Sequence, residues 1–195
     1  MERVIIIVPS QGHDTDSFLA VAKTLRARVY HHATIVKTTV TKTTSPDATG
    51  AASVTLTRLD GTTFSWDGKP HLTRVLTISH GFFGAGQNLT YGDATFGEGG
   101  GSQPWGSLEN DGALSAEGRT FWTSVGGSMR PNGKIIMLAC LLGFGEYGTS
   151  VARASHKSVY ASTDLFAAGD TDVALKYVRA IEHGKVLKPL KRFDP

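Results

Sequence analysis

Arg74-Val-Leu-Thr-Ile-Ser-His-Gly81 and Lys134-Ile-Ile-Met-Leu-Ala-Cys140 decide the fold. Each is a continuous apolar run that ends on a reactive side chain, His80 or Cys140. A strand covered by helices on both faces reads this way, because no alternate position meets water. Arg3-Val-Ile-Ile-Ile-Val8 is a third such run, and Ser158–Ser162 a weaker fourth. Helical patterns fall between them. Asp16–Val29 carries Phe18, Val21, Ala22 and Leu25 at helical spacing after a polar start. A second helix begins at Ser115, and Gly126-Gly127 would end it. Tyr147–His156 is a short candidate, and Thr171–Glu182 places Val173, Ala174, Tyr177, Val178 and Ile181 on one face. Strand–helix alternation predicts an α/β fold: a three-layer α/β/α sandwich around a mostly parallel sheet of about six strands.

The stretch 34–66 departs from this pattern. Thr34–Thr44 alternates threonine with valine and isoleucine, and Ser53–Leu59 and Thr62–Trp66 flank an Asp60-Gly61 pair. Alternation around Asp-Gly is a β-hairpin signal, so an antiparallel hairpin insertion is expected here. Glycine is the compositional anomaly, at 23 of 195 residues, and ten of the 23 lie between Gly81 and Gly112. That window, 81–112, reads as a long irregular loop next to the histidine, and such loops commonly carry function.

Composition narrows the rest. A chain of 195 residues that is 40% hydrophobic and 19% charged can bury a real core, and its length suits one domain, 1–195. The net charge is +3 and no run of Lys or Arg exceeds two residues, which gives no sign of nucleic-acid binding. The longest apolar run, Ile135–Leu142, is far short of the ~20 residues of a membrane span. Val4–Val8 is too short for a secretory signal, so a cytoplasmic protein, or one delivered without a classical signal peptide, is expected. Cys140 is the single cysteine, which excludes an internal disulfide and a zinc site built from cysteines.

The chemistry follows from the two strand ends. In parallel α/β sheets ligands bind beyond the carboxyl ends of the strands. If the strands of His80 and Cys140 are parallel, both residues emerge at one sheet edge. A free thiol is only a few per cent thiolate at neutral pH, so a cysteine nucleophile needs a neighbouring base. The imidazole can take that proton and later give one to a leaving amine. Gly81 lets the backbone approach a substrate carbonyl without a Cβ in the way. Such a thiol–imidazole mechanism calls for no cofactor and no metal.

Apolar block–His-Gly followed by apolar block–Ala-Cys resembles the caspase-like cysteine peptidases, a clan that includes caspases, metacaspases, legumain, gingipains, separase and CHAT-type domains. The residues that carry the likeness are Val75–Gly81, Ile135–Cys140, the Cys140-Leu-Leu-Gly143 turn and the Val159-Tyr-Ala-Ser-Thr-Asp164 strand. The resemblance implies a cysteine endopeptidase with a His80/Cys140 dyad and a protein or peptide substrate; it identifies no regulator or inhibitor protein. It also implies backbone oxyanion donors at Gly81 and Cys140. The strand after the nucleophile would line the pocket for the residue before the scissile bond, through Ser162 and Asp164 with Asp170 beyond. An acid there would select Arg or Lys, since a bidentate arginine satisfies a carboxylate best. Caspases carry Gln where Leu138 stands, so cleavage after Asp is not implied.

Other readings compete. A catalytically silent caspase-like module that binds a protein partner would have no reason to keep both the His-Gly and the Ala-Cys pair. A Cys-His amidase toxin would place Cys before His, on a helix. No Gly-x-Ser-x-Gly elbow occurs, and Gly97-Glu-Gly-Gly-Gly-Ser102 is not followed by Lys-Ser/Thr as a phosphate loop would be. The loop Ser10–Asp16 reads as a helix cap in a polar turn, although the resemblance sets its strand beside the histidine strand, which would bring His13, Asp14 and Asp16 toward the cleft. Asp170 reads equally as the cap of the Thr171 helix, and His31-His32 as a surface turn.

Overall fold

The β-branched run Val4–Pro9 forms β1, whose residues are buried on both faces. The structure, a computed structural model, describes residues 3–10, 14–42, 52–83, 89–92, 114, 116–140, 142–143 and 145–195. The elements that follow are α1 (Thr15–Arg28), β2 (Thr34–Lys42), β3 (Ala52–Arg58), β4 (Thr63–Phe64), β5 (Leu72–Ile78), β6 (His80–Phe83) and β7 (Leu89–Gly92). Then come α2 (Ala116–Gly127), β8 (Met129–Leu138), α3 (Tyr147–Ser155), β9 (Ser158–Ser162), α4 (Thr171–Glu182) and β10 (Leu190–Phe193).

Eight strands form one sheet in the order β10-β9-β8-β5-β1-β2-β3-β4. The five from β9 to β2 are mutually parallel, and β10, β3 and β4 run antiparallel to their neighbours. Helices cover both faces. Phe18, Val21, Ala22 and Leu25 of α1 and Ala174, Leu175, Val178 and Ile181 of α4 pack on one face with Ile6, Leu76, Ile78, Ile136 and Leu138. Trp122 and Val125 of α2 and Tyr147, Val151 and Ala152 of α3 pack on the other with Ile5, Ile7, Val75, Ile135 and Met137. This is the three-layer sandwich that the sequence predicts.

Several details go beyond or against the sequence reading. The sheet has eight strands, not six. The expected hairpin is present at the Asp60-Gly61 turn, where the Asp60 carboxylate accepts from the Thr62 N–H at 2.9 Å and Gly61 takes φ +87°. Its stretch begins, however, with a strand that pairs in parallel with β1, so β2 is an integral part of the sheet. The glycine-rich window opens with a two-stranded hairpin, β6–β7; residues 93–113 lie outside those described. α2 ends at Gly127, so the Gly126-Gly127 pair closes the helix as its last two residues. Gly126 is required there by close approach, since a Cβ would lie 2.0 Å from the Ser155 carbonyl oxygen of α3.

At the amino-terminal edge of the sheet, Arg74 and Glu182 form a bidentate ion pair at 2.6 and 2.7 Å. Tyr30 donates to the same carboxylate at 2.7 Å. Partial burial works against the charge of Glu182, but the hydrogen bonds from Arg74 and Tyr30 outweigh it and hold the carboxyl below the usual range. Burial, reinforced by the charge of Glu182, pushes the Tyr30 phenol above its ordinary value.

Two expectations follow from this packing. Gly126→Ala should lower stability by about 1–3 kcal/mol, the scale of an overpacked contact, while Gly127→Ala, whose Cβ meets nothing within 4 Å, should be neutral or stabilising by up to about 1 kcal/mol. Urea denaturation of the pair checks this, and equal losses would contradict it. Glu182→Gln should cost about 2–3 kcal/mol near neutral pH, because it strands the Arg74 charge. The stability that Glu182 contributes is present above the unfolded-state carboxyl value of ~4.3 and is lost as pH falls through the lower folded-state value. The gap between wild type and Glu182→Gln should therefore narrow in acid, as denaturation midpoints at stepped pH would reveal.

Candidate active site

β5 and β8 are hydrogen-bonded neighbours in parallel, with Ile78 opposite Leu138. His80 and Cys140 each stand two residues beyond that pair. Neighbouring strands lie ~4.8 Å apart, and side chains two residues on return to the same face. Both residues therefore follow adjacent, paired strands at the carboxyl edge of the sheet. Their surroundings agree: His80 meets the Phe18 ring edge-to-face at 5.0 Å, and Cys140 packs against the same α1/α4 layer, while Ala139 between them in the pattern faces the opposite core.

Strand order adds a second reason for a site here. From β1 the chain proceeds outward to β2 in one direction, and later through β5, β8 and β9 in the other. The helix after β1 packs on one face, and that after β5 on the other. The carboxyl ends of β1 and β5 are therefore the switch point of the sheet, where the general rule for such folds sets a ligand.

Cys140 is partly exposed and its sulfur rests on the Phe166 peptide group. The Phe166 N–H donates to Sγ at 3.2 Å, and the thiol donates to the Phe166 carbonyl oxygen at 3.2 Å. A thiolate has no proton for the carbonyl but keeps the N–H as a donor. The turn after Cys140 is strapped to β9 by Gly143, whose N–H donates to the Ser162 carbonyl at 2.6 Å. A Cβ at Gly143 would lie 2.7 Å from the Ala161 carbonyl oxygen. The Cys-x-x-Gly spacing thus has a local packing reason.

The remaining sequence candidates separate. Asp14 occupies the N-cap position of α1 but makes no side-chain cap bond; its Oδ2 lies 3.3 Å from His80 Nε2. Asp16 is exposed in the first turn, and His13 lies outside the described residues. Ser162 is fully buried, and its Oγ bonds to the backbone of Asp164, so it shapes the turn and cannot meet a substrate in this arrangement. Asp170 caps α4, accepting from the N–H groups of Asp172 and Val173 at 2.9 and 3.0 Å. Asp164 is exposed at the end of β9, where its Oδ1 accepts from the Leu165 N–H at 2.7 Å. It is not the buried acid that the pocket argument assumed. Gly81 lies in β6 opposite Tyr91. His31 and His32 are exposed in a turn at the far edge, beside Arg3 and Arg26.

Among the described residues no group of three His, Cys, Asp or Glu side chains could hold a metal ion, and no helix is long and apolar enough to cross a membrane. The Phe166 backbone carries no residue-type signal in the sequence, and Asp14 reads there chiefly as a cap.

No protein-family model matches the chain, and no curated protein matches it. In structure it is similar to a secreted C11 cysteine protease from Bacteroides thetaiotaomicron, solved by X-ray crystallography in complex with an irreversible peptide inhibitor. The TM-score is 0.43 at 11% identity, over 93% of this chain and 54% of that one. The chain thus spans about half the length of that protease, and a likeness of this grade carries no argument about activity.

Gly143→Ala should push the Cys140 turn off β9, lowering stability by about 1–3 kcal/mol and changing the rate at which iodoacetamide alkylates Cys140. An unchanged rate and melting temperature would show that the turn does not depend on the close approach.

Proposed function

We propose that the chain is a cysteine endopeptidase in which Cys140 is the nucleophile and His80 the acid–base. The observation that supports this best is the parallel register Ile78↔Leu138, since His80 and Cys140 each follow that pair by two residues at the carboxyl edge of the sheet. His80 takes the thiol proton as Sγ attacks the peptide carbonyl carbon. The carbon–nitrogen bond then breaks, the amine leaves with the proton from His80, and a thioester remains on Cys140. Water, deprotonated by His80, attacks the thioester; the carboxylic acid departs and the thiol is restored. Backbone N–H groups of Gly81 and Cys140 would hold the oxyanion, as strand-to-loop corners can.

The preferred residue before the cut would be Arg or Lys, drawn to Asp164. An exposed carboxylate pairs weakly, so the enrichment should be modest rather than absolute.

Digestion of a randomised peptide pool tests both levels. Wild type should cleave, Cys140→Ala should not, and His80→Ala should be slower by several orders of magnitude, because members of a catalytic unit act together. Both variants should fold as wild type does. Cleavage retained in Cys140→Ala would overturn the thiol mechanism. Arg and Lys should be enriched before the cut, and less so in Asp164→Asn; a neutral profile would overturn the preference alone.

A further inference from the structure

We propose that a recess at the amino-terminal edge of the sheet, lined by Arg3, Arg26, His31 and His32, binds an organic phosphate of nucleotide size: an apolar body carrying two or more phosphate groups. The proposal does not rest on the peptidase reading, because the recess lies at the opposite end of the strands from Cys140. Its volume is about 910 Å³, within the range of roughly 300–1,000 Å³ that small-molecule sites occupy and far more than a lone phosphate fills. Val4 opens β1, Ala33 directly precedes β2 and Thr73 lies near the start of β5, so three parallel strands begin at its wall. Arg3 is held there by its carbonyl, which accepts from the N–H groups of Thr73 and Arg74 at 2.7 and 3.3 Å and from the Thr73 hydroxyl at 3.0 Å. His31 and His32 are the middle residues of a turn closed by the Ala33 N–H, which donates to the Tyr30 carbonyl at 2.8 Å.

Charge then points to the ligand. All four side chains are exposed, and among the described residues none of them has an ion-pair or hydrogen-bond partner. No carboxylate lines the recess. Glu182, which the Tyr30 hydroxyl reaches, is already held by the bidentate Arg74. The carboxyl end of α1 opposes an anion by about half an elementary charge. Arg26, in the last turn of that helix, offsets it, which leaves Arg3 in surplus beside two imidazoles. Charged or neutral, each imidazole offers at least one ring N–H, and the arginine fork matches phosphate bidentately. Val4, Val29 and Ala33 give the recess an apolar part as well. Inorganic phosphate would meet the cations but leave that part wet, whereas an organic body would cover it.

Isothermal titration calorimetry of the full chain tests this, with metal-free ATP as the probe and inorganic tripolyphosphate and adenosine as its two halves. ATP should bind one to one with a Kd below about 1 mM. Tripolyphosphate should bind about tenfold more weakly, for want of the apolar contact, and adenosine not measurably. Arg3→Gln and Arg26→Gln should each weaken ATP binding about tenfold, the scale of one charge-assisted hydrogen bond. Both side chains are exposed and Arg3→Gln keeps the anchoring carbonyl, so folding should survive. Arg28→Gln is the control: it stands in the same helical turn but outside the recess, and binding should hardly change. Protein alkylated at Cys140 should bind ATP as the untreated protein does, whether or not the chain cleaves peptides. Absence of ATP binding, or a loss in Arg28→Gln equal to that in Arg3→Gln, would overturn the proposal. A loss on alkylation would overturn the placement of the site, and tripolyphosphate binding as tightly as ATP would overturn the organic nature of the ligand.

Discussion

The in-register parallel pairing of β5 with β8 is the constraint on which the remainder of the site depends. A slip of one residue would reverse every side chain of one strand. It would take Ile78 or Leu138 out of the α1/α4 core and at the same stroke put His80 and Cys140 on opposite faces. Burial of the two apolar runs therefore fixes the chemistry two residues further on. The strength of the register comes from Val75 and Ile135 facing one core and Leu76 and Ile136 the other. Residues of the two cores thus set which side chains follow the paired strands at the carboxyl edge.

Strand order sets which segments meet beyond that pairing. Because β1 lies between β2 and β5, the helices of the two directions occupy opposite faces. Asp14 enters from the β1 loop, His80 from β5, Cys140 from β8 and the Phe166 peptide from the segment after β9. The ion pair of Arg74 with Glu182, with Tyr30 upon it, lies at the other end of the same strands.

Much of this was legible because burial writes itself into sequence. The runs Arg3–Val8, Arg74–Ile78 and Lys134–Ala139 announce strands covered on both faces, and the amphipathic pattern of Thr171–Glu182 coincides with α4. What escaped did so for physical reasons. β10 is a short edge strand in a basic tail, Leu-Lys-Arg-Phe, whose partner Ser158–Ser162 is far away in sequence. Gly126-Gly127 reads as a stop and does close α2, but the close approach of α3 that excludes a Cβ at Gly126 is a tertiary contact with no local signal. The place of β2 beside β1 is a tertiary fact that threonine–valine alternation does not encode. At the site, His80 and Cys140 stand out by residue type, whereas the Phe166 contribution is pure backbone. Asp14 was visible but ambiguous, since aspartate before a helix ordinarily caps.

We propose that His80 makes Cys140 a nucleophile. Intact-mass measurement and peptide mapping after treatment of the native protein with a peptidyl acyloxymethyl ketone test it most directly. A single thioether adduct on Cys140, formed much more slowly in His80→Ala, is the predicted result. No adduct on the native protein, with Cys140 still open to iodoacetamide once urea has unfolded the chain, would contradict the account.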